Sequence, residues 1–171
     1  MKNEINDIGK NVIDLQIKAL KKLKNSLDKS FNDAVRAISK CKSKVVICGV
    51  GKSGIIASKI SATLSSVGTP SFSIAANDAS HGDMGQITSN DIVILISLSG
   101  QSEELKNIIQ YTSRNKNIKL IGITSKKESI LYKNSDIKFL LPYVKEADPV
   151  NIVPTSSTTI QLALGDAIAI A

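Results

Sequence analysis

Five short runs of strand length between residues 45 and 141 constrain this chain more than anything else in it. They are Val45-Val46-Ile47-Cys48, Pro70 to Ala75, Asp91 to Ile96, Lys119 to Thr124 and Asp136 to Leu141. The third, Ile92-Val93-Ile94-Leu95-Ile96, is apolar at every position and suits a strand covered on both faces. Helical patterns lie between the first two runs (from about residue 52 to Val67) and between the third and fourth (Leu105 to Lys116). A shorter one, Glu128 to Lys133, precedes the fifth, and Asn77 to Asn90 reads as a long polar loop. Strands alternating with helices predict an α/β three-layer sandwich on a five-stranded parallel sheet.

Two helices precede this core. Glu4 to Leu27 is amphipathic, with Ile5, Ile8, Val12, Leu15, Ala19, Leu20, Leu23 and Leu27 on one stripe and most of its lysines on the wet side. Asp28 to Ser30 supplies an N-cap for a second helix, Phe31 to Cys41. No repeat or low-complexity linker interrupts the chain. The expectation is therefore one domain over 1–171, with N-terminal helices in 1–41 and the α/β core in 44–171.

Composition narrows the function. The 171 residues are 42% hydrophobic, enough for one real core. The net charge of +7 is spread thinly and only 4% of residues are aromatic, which argues against nucleic acid and for attraction of a phosphorylated metabolite. Cys41 and Cys48 are too few and too close for a disulfide framework, as expected of inert thiols in a reducing cytoplasm. Glu4 and Asp7 among the first residues do not fit a signal peptide, and no apolar run is long enough to span a membrane. The basic first helix is expected to pack on the sheet or on a second subunit, not on a lipid surface.

The chemistry concentrates in loops after strands. Ser97-Leu98-Ser99-Gly100-Gln101-Ser102-Glu103-Glu104 sets three hydroxyls and a glycine where the third strand turns into a helix. The free N–H groups and dipole of a helix N-terminus favour an anion such as phosphate. The bland alternative makes Ser102 an ordinary N-cap. Gly49-Val50-Gly51-Lys52-Ser53-Gly54 has three readings. A P-loop fails because Val46 stands where its first glycine belongs. The dinucleotide fingerprint G-x-G-x-x-G fits, but the nearest ribose-binding acid, Asp78, comes late. The third reading is a tight turn presenting Lys52 and Ser53. With the flavodoxin-like strand order 2-1-3-4-5, this loop and the serine loop flank one switch-point crevice, which favours a small phosphorylated ligand.

Pro154-Thr155-Ser156-Ser157-Thr158-Thr159 opens a final helix, Ile160 to Ala171, that is apolar apart from Gln161 and Asp166 and so must be covered by the core or by another subunit. Plain N-capping is its bland reading. Lys145-Glu146-Ala147-Asp148-Pro149 follows the fifth strand on the same carboxyl-end face. His81, the only histidine, sits in a polar loop within Ser80-His81-Gly82-Asp83, where structural and catalytic roles are both open.

Taken with Gly68-Thr69-Pro70, these motifs resemble, in order and over nearly the whole chain, the sugar isomerase (SIS) domain of the arabinose 5-phosphate isomerases. The resemblance implies a homo-oligomer, dimer or tetramer, and interconversion of D-ribulose 5-phosphate with D-arabinose 5-phosphate, without a cofactor, for Kdo and lipopolysaccharide synthesis in the cytoplasm. By position it implies phosphate contacts from Ser53, Ser97, Ser99 and Ser102, with Thr155, Ser156 and Ser157 lining the same pocket. Lys52, Glu104 and Glu146 fall at its catalytic positions, and His81, Gly68 and Thr69 at substrate contacts. Enediol chemistry needs a carboxylate base, a cation near the oxygens and a proton shuttle, and Glu104 or Glu146, Lys52 and His81 meet those needs.

Departures are visible. Ala75-Ala76 stands where many members carry His-Pro, whose histidine binds inhibitory zinc, so no metal is expected here. Gln101 replaces a common Glu. Members also carry a later histidine and a CBS pair, and neither is expected within a sequence ending at Ala171. Two other classes stay open: a non-catalytic module that binds a sugar phosphate, and a dinucleotide-binding oxidoreductase.

Overall fold

The computed structural model describes residues 2–79 and 82–171. Helices α1 (Lys2–Ser26) and α2 (Lys29–Ser39) come first, and Asp28 caps α2 by accepting a hydrogen bond from Ser30 N at 2.8 Å. Strands β1 (Val45–Gly49), β2 (Ser71–Ala75), β3 (Ile92–Ile96), β4 (Lys119–Thr124) and β5 (Ile137–Leu140) pair in parallel in the order β2-β1-β3-β4-β5. Every residue of β1 and β3 is buried, as continuous apolar runs require in a sheet covered on both faces.

The pleat sends alternate strand residues to opposite cores. Val45, Ile47, Ile94, Ile96, Ile121 and Ile123 pack with α3 (Lys52–Ser66), α7 (Ser156–Ile170) and the two N-terminal helices. Val46, Val93, Leu95 and Leu120 pack with α5 (Glu103–Arg114) and α6 (Ile130–Asn134). The crossovers therefore leave β1 and β3 towards opposite faces, which puts the topological switch between those two strands. Their carboxyl ends are aligned: Gly49 lies beside Ile96. As its apolar sequence demanded, α7 buries Ile160, Leu164 and Ile168.

One expectation is corrected. The stretch read as a long polar loop holds α4 (Ala76–Ala79) and a 3₁₀ turn, Asp83–Gln86. Buried Ala76, Ala79 and Ile87 hold it against the α5 side, where the Tyr111 hydroxyl donates to Ile87 O at 3.0 Å. His81 lies outside the described residues.

The amino-terminal rim of the sheet is tied by Asp91. Its buried carboxylate accepts from the Ser43 hydroxyl at 2.5 Å and Thr88 N at 2.7 Å, and pairs with Lys44 at 3.0 Å. Burial alone would raise this carboxyl's pKa, but the bonds from Ser43, Thr88 and Lys44 outweigh it and hold it below the ordinary value. Cys48 is buried and its thiol is pushed up to about 12 by burial, which leaves it unreactive. Helix α1 buries Ala19 and Leu23, whereas Ile5, Ile8, Ile13 and Ile17 are exposed on the single chain. No helix among the described residues is long and apolar enough to cross a membrane.

Candidate functional site

Three hydroxyl-bearing turns meet at the carboxyl rim of the sheet. The first, after β1, is shaped by close approach. A Cβ on Gly49 would lie 2.6 Å from the Ser53 carbonyl group, and one on Gly54 would lie 2.9 Å from Gly49 O. Gly51 turns with φ +56° into α3. The glycine spacing thus serves a tight turn that delivers Lys52 and Ser53 as the first residues of α3. β2 ends at Ala75 and runs straight into α4, so Asp78 lies three residues past the strand end where a dinucleotide fingerprint places its ribose-binding acid.

The serine loop after β3 is held from below. Leu98 O accepts from Ser125 N at 3.0 Å, Ser125 Oγ at 2.9 Å and Thr124 Oγ1 at 3.1 Å. Gly100 adopts φ +63°, and a Cβ there would run into the Ser129 and Thr124 side chains. The hydroxyls then converge. Ser97 Oγ accepts from Gly100 N at 3.0 Å and lies 3.3 Å from Ser102 Oγ and 3.5 Å from Ser99 Oγ. Ser102 occupies the N-cap position of α5, yet its side chain makes no capping bond. The ordinary N-cap reading therefore fails: this hydroxyl joins the serine cluster over a helix N-terminus, an arrangement suited to an anion. Exposed Lys126 and Lys127 lie with Ser99, Gln101 and Ser125 around a pocket of about 360 Å³. Sequence reasoning passed over these two lysines, although they follow β4 onto the same rim.

The third turn precedes α7 and behaves differently. Thr155 is its N-cap and likewise makes no side-chain capping bond. The role is taken by Glu146, nine residues upstream. Its Oε2 accepts from Thr155 N at 2.8 Å, Thr155 Oγ1 at 3.1 Å and Ser157 N at 3.2 Å. Burial of Glu146 would raise its pKa, but the bonds from Ser157 and Thr155 hold the carboxyl below its ordinary value. Ser156 Oγ is fully buried and has no hydrogen-bond partner among the described residues. Gln161, noted in the sequence only as a polar interruption, accepts from the Ser53 hydroxyl at 3.1 Å and so joins α7 to the first turn.

The structure thus gathers Ser53, Thr155, Ser156 and Ser157 by way of α7, and Ser97, Ser99 and Ser102 in the loop after β3, the strand beside β1. Lys52 is exposed at the start of α3, and Glu104 is half-buried in the first turn of α5. Neither charged group has a hydrogen bond or ion pair among the described residues. Gly68 and Thr69 are not brought to this rim. They precede β2, whose first residue Ser71 lies beside Val45, so they stand at the amino-terminal end, about 16 Å away along the strands. A larger cleft, about 1020 Å³, opens at that same end between Arg36, Lys40, Asp91 and Lys119. Its buried acid, Asp91, is fully engaged by Ser43, Lys44 and Thr88.

A doubly wound parallel sheet with hydroxyl-bearing loops at its switch point defines the class of this α/β protein. The chain belongs to the SIS domain family, whose model matches residues 37–171. It is 48% identical over 160 residues to the arabinose 5-phosphate isomerase KdsD of Francisella tularensis, a match covering 92% of this chain and 49% of that protein. With the KdsD of Yersinia pestis the identity is 44% over 163 residues, covering 95% and 49%. The chain therefore spans about half the length of these curated relatives. Among solved structures, Escherichia coli CFT073 c3406 in complex with arabinose 5-phosphate superposes with a TM-score of 0.95 at 35% identity, covering 99% of this chain and 90% of that one.

Proposed function

We propose that this chain is a sugar-phosphate isomerase that interconverts D-ribulose 5-phosphate and D-arabinose 5-phosphate through an enediol. The observation that carries the reading is the serine loop, whose N-cap hydroxyl is withheld from capping and gathered with two others over the α5 N-terminus. The arabinose 5-phosphate bound to c3406 and the names of the KdsD relatives support a pentose phosphate as the ligand. Ser97, Ser99, Ser102 and Ser53 hold the phosphate, with Lys126 and Lys127 adding field at the rim.

The sugar then extends towards Lys52, Glu104 and Glu146. Starting from the aldose, a carboxylate removes the C2 proton and the electron pair forms the C1–C2 double bond. The aldehyde oxygen becomes a hydroxyl, and the Lys52 ammonium stabilises the charge that develops there. Returning the proton to C1, with loss of the O2 proton, gives the ketose, so the reaction balances without an oxidant. His81 serves ring opening or proton shuttling. As in the family it resembles, the chain works in the cytoplasm and supplies Kdo synthesis.

The whole of 1–171 acts as one unit that assembles with copies of itself. The exposed apolar residues of α1 and the distant position of Gly68 and Thr69 support this, since those two residues then serve the site of another copy. Substituting Leu15→Lys should shift the assembly towards monomer, and sedimentation showing a lone 18.2 kDa species for the unmodified chain overturns the oligomer. The direct test of function is incubation of the purified chain with each pentose phosphate, with the other sugar followed by NMR. Interconversion supports the reading, and tight binding without turnover replaces it with a non-catalytic phosphosugar module.

A further inference from the structure

The fold presents two carboxylates to the same rim and treats them in opposite ways. Resting on the isomerase reading above, we propose that Glu146 is a positioning residue, the built-in anion that fixes the first turn of α7, and that Glu104 is the catalytic base.

Glu146 is held to the start of α7 through one carboxylate oxygen. Its Oε2 takes hydrogen bonds from Thr155 N, Thr155 Oγ1 and Ser157 N. Its own backbone is fastened as well: Glu146 N donates to Asn151 Oδ1 at 2.7 Å, and Ala147 N donates to Thr155 Oγ1 at 2.8 Å. The loop between is closed by the Asp148 carboxylate, which accepts from Ile152 N and Val153 N. Protonation of Oε2 would cost its bonds and leave the N–H groups of a buried helix end without a partner. A carboxylate that already accepts three such bonds is also a weaker base, in keeping with the direction of its pKa.

What Glu146 controls lies beyond itself. It sets the first turn of α7, and one turn further along the same helix offers Gln161 Oε1 to the Ser53 hydroxyl at 3.1 Å. A slip of that turn therefore moves a phosphate ligand at the other side of the crevice. Glu104 has the complementary properties. It is half-buried, engaged by no partner among the described residues, and placed in the first turn of α5 two residues after Ser102. Because phosphate is held at the start of that same helix, the Glu104 carboxylate has a fixed distance to the sugar.

The test uses the full chain as wild type, Glu104→Gln, Glu146→Gln and Glu146→Ala. Measured are kcat and KM for both pentose phosphates and the hydrogen exchange of the Thr155 and Ser157 amides. Glu104→Gln should lower kcat by roughly 10²–10⁴-fold with both amides still protected. Glu146→Gln keeps an acceptor for those amides and should lose at most about tenfold in kcat. Glu146→Ala should speed exchange of both amides at least about tenfold and raise KM several-fold, with a smaller fall in kcat. The proposal is overturned if Glu146→Gln is as slow as Glu104→Gln while its amides stay protected, or if Glu146→Ala leaves both the amides and KM unchanged. A wild-type chain that isomerises neither sugar sinks the isomerase reading, and with it the base role, whereas the exchange data still decide what Glu146 holds.

Discussion

Helices α5 and α7 begin alike in sequence and unlike in structure. Each is preceded by a cluster of hydroxyls, and each has an N-cap residue, Ser102 or Thr155, whose side chain makes no capping bond. At α7 the missing cap is replaced by the Glu146 carboxylate, so the positive helix end is neutralised from within the chain. At α5 the hydroxyls of Ser97, Ser99 and Ser102 bond to one another and to loop amides. A hydroxyl-rich helix start is therefore not one device but two. One form anchors a loop, and the other is suited to an anion from outside.

The comparison breaks most readily at Gly100. A valine there adopts an unfavourable positive φ and collides with Ser129 and Thr124. Strain of about 1–3 kcal/mol, before the overlap is counted, should displace the loop and weaken phosphosugar binding by at least about 100-fold, measured by calorimetry. Ser102→Ala is the sharper experiment. Loss of a contact to a charged acceptor is worth about 1.5–3 kcal/mol, so affinity should fall roughly 10–100-fold. Because the hydroxyl caps nothing, Tm should stay nearly constant. A fall in Tm with unchanged affinity would restore the plain N-cap.

The α7 end should answer to acid in place of ligand. The Glu146 and Asp91 carboxyls both titrate below their ordinary values in the folded chain. A depressed folded pKa contributes stability that is complete above the unfolded value, about 4, and is lost as pH falls through the folded value. The Tm of the wild-type chain should therefore drop as pH is lowered below about 4, and Glu146→Gln should flatten that drop. Equal slopes in the two proteins would remove Glu146 from the acid response. The smallest effect belongs to Ser156→Ala. Its buried hydroxyl has no partner among the described residues, so its removal should leave stability unchanged or raise it by up to about 1 kcal/mol.

Legibility followed the range of the interactions involved. The runs at 45–48, 91–96 and 119–124 carry their strand identity in continuous apolar residues, and the order 2-1-3-4-5 puts the two glycine- and serine-rich loops on one crevice. Helix α4 was missed because four residues have no period to read, and its burial against the α5 side is a tertiary matter. The pairing of Glu146 with Thr155 and Ser157 spans a closed loop and leaves no mark in local spacing. Gln161 was visible as a polar residue in an apolar helix, but its partner lies 108 positions away. Gly68 and Thr69 stood out only through resemblance to a family, and the parallel register of β1 and β2 sets them at the far rim of this chain.

The contrast between the two helix ends is tested most directly by a crystal structure of the chain with D-arabinose 5-phosphate. The phosphate should sit on Ser97, Ser99 and Ser102 at the start of α5, with Glu146 still bound to Thr155 and Ser157. A phosphate seated on Thr155–Ser157, with Glu146 displaced from α7, would contradict the account.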